Sequence, residues 1–150
     1  MAFAQAVAAH ASPQFNREIK PILAEHCFHC HGQDANTRKA GLRLDEREAA
    51  IAPAKSGRRA IVPGQPEASE LLARITAHDP DDRMPPPEEQ KPLSSHQIET
   101  LKAWIAAGAE YQPHWAFIPP ESPRVPEVAG GGGAVNAIDA FVLERLAKEG

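Results

Sequence analysis

Apolar side chains recur at helical spacing in four stretches of this chain, and polar, glycine-rich and proline-rich sequence fills the intervals between them. Phe15, Ile19, Ile22 and Leu23 share one helical face behind Ser12-Pro13, and they predict a helix over 14–26. Leu71, Leu72 and Ile75, entered through Pro66, predict a second over 67–77, ended by His78-Asp79-Pro80. Ser94 with Gln97 three residues on reads as a capping box. It opens a third helix over 95–107, with Ile98, Leu101, Trp104 and Ile105 on its apolar face and Gly108 as its stop. Ile138, Phe141, Val142 and Leu146 form a last stripe. A lone helix that short is marginal in water, so 137–150 reads as the start of a truncated following domain.

The intervals are equally informative. From 32 to 66 apolar residues are sparse and Gly and Pro recur, which predicts loop with one short helical turn near 46–52. Met84-Pro85-Pro86-Pro87 cannot be helix interior or central strand, because successive prolines lack N–H donors and favour a stiff extended path. The pattern predicts an all-α domain over 14–118, preceded over 1–13 by a disordered tail or signal remnant. A Pro/Gly-rich linker over 119–136 joins it to residues 137–150.

Composition narrows the function classes. With a formal charge of −4 and basic residues interspersed with acids, the chain offers no nucleic-acid-binding block. No apolar run reaches the roughly 20 residues that span a bilayer. Aromatic residues are only 5% of the chain, so a large apolar cofactor would form much of its core. The 2 cysteines are separated by two residues and cannot staple distant segments.

That pair lies in Cys27-Phe28-His29-Cys30-His31. In C-x-x-C-H, two thiols add across the vinyl groups of one porphyrin and the following histidine reaches under the iron. Cys27 and Cys30 are thereby assigned to thioethers and His31 to the proximal iron position of one covalent haem c. A chance occurrence in a chain of this size is on the order of one in a thousand. A thioredoxin-like pair would need a strand before the first cysteine, where a helix is predicted. A zinc site drawn from Cys27, Cys30 and two of His26, His29 and His31 would have poor tetrahedral reach.

The sixth iron position decides the chemistry. Beyond Met1 the only methionine is Met84, in the proline-stiffened loop and outside every apolar stripe. A soft thioether there favours ferrous iron and raises the potential. His78 is the first competing distal ligand and His96 the next. His26, His29, His10 and His114 read as solvent-exposed or locally bonded, and Trp104 as a core residue that also packs on the haem. Arg38, Lys39 and Arg43 read as an ordinary charged loop, with propionate pairing as the alternative.

With these residues placed, the chain resembles the cytochrome c domain at the start of large multidomain planctomycete proteins. The resemblance runs through Ile19-Lys20-Pro21-Ile22-Leu23, the Cys27 to Gly32 run, Gly41-Leu42-Arg43-Leu44-Asp45, Ile61-Val62-Pro63-Gly64, Asp82-Arg83-Met84-Pro85-Pro86, Trp104-Ile105 and His114-Trp115-Ala116-Phe117. It implies a class I cytochrome c fold, Cys27, Cys30, His31 and Met84 in haem roles, and a periplasmic or otherwise exported location. It also implies a redox partner protein or a downstream domain of the same protein. One-electron transfer without substrate chemistry is the expected function. A peroxidase or gas sensor with an open or His-ligated sixth position is the alternative, and a haem serving only as a folding staple is a third.

Overall fold

A computed structural model describes residues 13–54, 56–120, 122–127 and 136–149. Residues 1–12 of the tail expected over 1–13, among them His10, and residues 128–135 of the expected linker lie outside them. The described residues are helical and carry no β-strand, only one antiparallel bridge between Pro53 and Arg59. Two compact units are present, 1–115 and 116–150.

The first unit begins with a π-helical turn, Phe15–Ile19, that runs on into α1, Lys20–His26. A single helix was expected here. The change of winding falls where Pro21, lacking an N–H, could not bond the Arg17 carbonyl of a continuous α ladder. A short turn, α2, Phe28–His31, follows at once and holds the attachment run. The predicted turn near 46–52 is α3, Arg47–Ile51.

The second predicted helix is shorter than its pattern. Pro66–Ala68 forms a 3₁₀ turn, and α4 covers Glu70–Ile75. Between them Ser69 is extended and 2% exposed. Its Oγ accepts from the Val62 N–H at 2.9 Å and donates to the Gln65 carbonyl at 3.0 Å, bonds that hold it out of a helix. The proline run is extended only through Pro86, at φ −58°, ψ 146°, and Pro87–Glu89 then closes a 3₁₀ turn. Proline's fixed φ suits the first position of such a turn as well as an extended path.

The third helix, α5, spans Ser95–Ala106, and both bonds of the predicted capping box are made. Gly108, at φ +107°, provides the backbone conformation that stops it. The core gathers Phe15, Ile19 and Leu23 with Leu44, Ile61, Leu72, Leu101 and Ile105. α5 packs against the Phe15–Ile19 turn and against α4. Trp104, 2% exposed, meets Phe15 and Tyr111, and its indole N–H donates to the Glu110 carbonyl at 3.0 Å.

In the second unit α6, Ala137–Glu149, starts at Asn136, whose Oδ1 accepts from the Ile138 and Asp139 N–H groups at 2.8 and 3.1 Å. Ile138, Val142 and Leu146 stand exposed along it. Among the described residues no helix is long and apolar enough to cross a membrane.

Candidate haem site

The Cys27–His31 run is wound by its own backbone hydrogen bonds. Cys30 and His31 donate backbone N–H bonds to the Cys27 carbonyl at 3.1 and 2.8 Å, which winds Cys27–His31 into one turn. A helix this short leaves its last carbonyls without internal partners. The loop supplies them: the Lys39 N–H donates to Cys30 at 2.7 Å and the Leu44 N–H to His31 at 2.8 Å. Arg38 then donates from Nε to the Gly32 carbonyl at 2.9 Å and from Nη2 to Gln33 at 2.7 Å. Gly32 must be glycine, since a Cβ there would lie 2.3 Å from the Phe28 carbonyl oxygen.

Both thiols are free and partly buried. Burial, reinforced by Cys30, pushes the Cys27 thiol up to about 12, so it is a neutral thiol near pH 7. A redox-active pair needs the opposite shift. Burial holds the His31 imidazole below its ordinary value, partly offset by the Lys39 backbone beside it. The ring is therefore neutral and able to offer a lone pair. Its Nδ1 is buried without a hydrogen-bond partner.

Met84 is placed by α4. Its N–H donates to the Arg74 carbonyl at 3.0 Å, and the same arginine reaches Asp82 Oδ1 at 2.6 Å and Glu70 Oε1 at 3.0 Å. Thus one residue of α4 fixes both the backbone of Met84 and the loop that leads to it. Met84 lines a cavity of about 570 Å³ together with Ile75, Leu93, Ile98, Pro85 and Pro86. His78 lines the same cavity, so both candidate distal ligands share one recess. Cys27, Cys30 and His31 are not part of that lining, whereas Phe28 and His29 line a separate, more polar recess of about 970 Å³. Trp104 lines neither.

Some assignments change. His26, expected to be exposed or locally bonded, has a side chain only 5% exposed and bonds to Lys91 and Gln97. Arg38 is engaged on backbone carbonyls, and Arg43 on Asp45 and Glu46. The roles of Arg38 and His26 escaped the sequence because they bond main-chain carbonyls, which carry no residue signature, and because His26 reaches across 65 and 71 residues. Among the described residues no three or more His, Cys, Asp or Glu side chains gather as a metal site.

Residues 27–88 match the planctomycete cytochrome C family. The cytochrome C match opens on Cys27 and closes just beyond the Met84-Pro85-Pro86-Pro87 run, so it contains the thiols, His31, His78 and Met84, while Trp104 and α5 follow it. It supports haem binding and electron transfer as the class of function. No curated protein and no solved structure matches the chain.

The residues present fit the implied group. Two free thiols two residues apart, a neutral histidine after them with a buried unpartnered Nδ1, and a methionine in a cavity with an apolar wall are the donor chemistry of a c-type haem.

Proposed function

We propose that this chain is a one-electron transfer module of class I cytochrome c type. Cys27 and Cys30 would hold one haem c covalently, and His31 and Met84 would hold its iron. The carrying observation is the pairing of a pre-wound Cys27–His31 turn, its carbonyls already satisfied from the 38–44 loop, with a separately anchored Met84 in an apolar recess. When bound, haem supplies a reversible one-electron change at iron.

The protein's part is positional. His31 presents a neutral imidazole, a ring that can offer a nitrogen lone pair to the metal. Met84 offers a thioether from a backbone tied to Arg74 and stiffened by Pro85 and Pro86, so little rearrangement accompanies a change of charge. Ile75, Leu93 and Ile98 give the recess an apolar wall, which favours the less charged reduced state. The proposal includes export from the cytoplasm, where haems of this kind are attached, and an electron partner in a separate protein or a downstream domain.

His78 in the same recess supports one second reading, a His-ligated or open sixth position suited to a peroxidase or gas sensor. The two are separated by the weak red absorption band that marks a thioether on ferric haem iron. Met84→Ala is expected to abolish it and to open the ferrous protein to carbon monoxide, with His78→Ala leaving the band in place. The reverse pattern would falsify the assignment of Met84.

A further inference from the structure

His26 closes α1 one residue before Cys27, and both of its ring nitrogens are occupied. Nδ1 lies 3.0 Å from the Lys91 carbonyl oxygen. A carbonyl only accepts, so Nδ1 carries the proton. Nε2 lies 3.2 Å from Gln97 Nε2, an amide nitrogen that only donates, so this ring nitrogen is the bare acceptor. The orientation of that amide is fixed in turn, because Gln97 Oε1 accepts the Ser94 N–H at 2.8 Å in the capping box. The two bonds select hydrogen on Nδ1, while Glu25 Oε2 stands 3.7 Å from Nε2, beyond hydrogen-bond distance.

These bonds reach 65 and 71 residues along the chain. They tie the end of α1 to the segment returning from the Met84 loop and to the first turn of α5. Arg74 anchors that loop at Met84 itself, and His26 anchors it at Lys91, on the far side of the Pro87–Glu89 turn.

We propose that His26 is a positioning residue that sets the Met84 loop relative to the attachment run. It touches neither iron nor substrate and acts by fixing the loop's second end. The role rests on the His31/Met84 reading above, whereas the strap itself is a property of the chain.

The test uses the haem-loaded full chain as wild type, His26→Leu, which removes both bonds, and His26→Gln, which keeps a donor and an acceptor. Amide hydrogen exchange at Met84 and Gln97 reports the strap, and the thioether band reports the ligand. His26→Leu is expected to speed exchange at both amides roughly tenfold, as befits two lost hydrogen bonds. It is also expected to lose the band at lower temperature, with His26→Gln restoring both. Unchanged exchange overturns the strap, and faster exchange with an unmoved band overturns the positioning role. Should His26→Leu fail to fold, ¹⁵N NMR of the wild-type ring decides: hydrogen on Nδ1 is expected, and hydrogen on Nε2 overturns the proposal. A wild type without the band overturns the Met84 reading and the positioning role with it, while the exchange rates still report the strap separately.

Discussion

Removing one hydroxyl, in Tyr111→Phe, measures how the attachment turn is coupled to the core. The Tyr111 hydroxyl donates to the Leu44 carbonyl at 2.9 Å, and the N–H of Leu44 donates to the His31 carbonyl at 2.8 Å. Burial, then the charge of Asp45, raise the phenol above its ordinary value, so it stays a donor across the working pH range. The phenyl ring remains after substitution, and with it the contacts to Phe15 at 4.3 Å and Trp104 at 5.3 Å. What is lost is one partly buried hydrogen bond, about 1 kcal/mol. Tyr111→Leu also loses the two aromatic contacts, at about 1 kcal/mol each, for a total near ~3 kcal/mol. In urea unfolding of the haem-loaded protein, with a slope of about 2 kcal/mol/M, the Phe variant is expected to lower the midpoint by about 0.5 M and the Leu variant by about 1.5 M. A Phe variant indistinguishable from wild type would refute the link through Leu44, and a Leu variant no worse than Phe would refute the aromatic cluster.

Gly32→Ala puts a Cβ against the Phe28 carbonyl and is expected to destabilise the protein by about 1–3 kcal/mol and to lower haem occupancy, checked by unfolding and by haem-to-protein absorbance. Asp45 is held below the usual aspartate value by its Arg43 hydrogen bonds, despite some burial that acts the other way. A depressed carboxyl stabilises above its unfolded pKa, so this contribution is intact at pH 5 and is lost as pH falls below about 3.9. Asp45→Asn is expected to lower stability at pH 6 and to flatten its fall between about pH 4 and pH 2; an unchanged acid limb of urea midpoint against pH contradicts this.

What the sequence made legible was local. The α5 capping box, Gly108 and the Cys27–His31 run each carry their signal within a few residues, and each is found where expected. The first helix lost continuity at Pro21, a residue in plain view whose effect depended on whether helix preceded it. The second was shortened by Ser69, whose bonds to Val62 and Gln65 exist only after the chain has folded back. Arg38, Arg74 and His26 were the least legible. They act on backbone carbonyls or across 65 or more residues, and nothing in their neighbours announces it. Short-range signals were therefore readable, and the long-range and main-chain bonds that hold the loops were not.

The central claim is that Cys27 and Cys30 carry one haem c. Mass spectrometry of the denatured chain, produced in a host that attaches such haems, tests it most directly. The wild-type chain is expected to carry the added mass of one haem, and the Cys27→Ala/Cys30→Ala chain none. A wild-type mass equal to the bare polypeptide, or haem retained by the double variant, would contradict it.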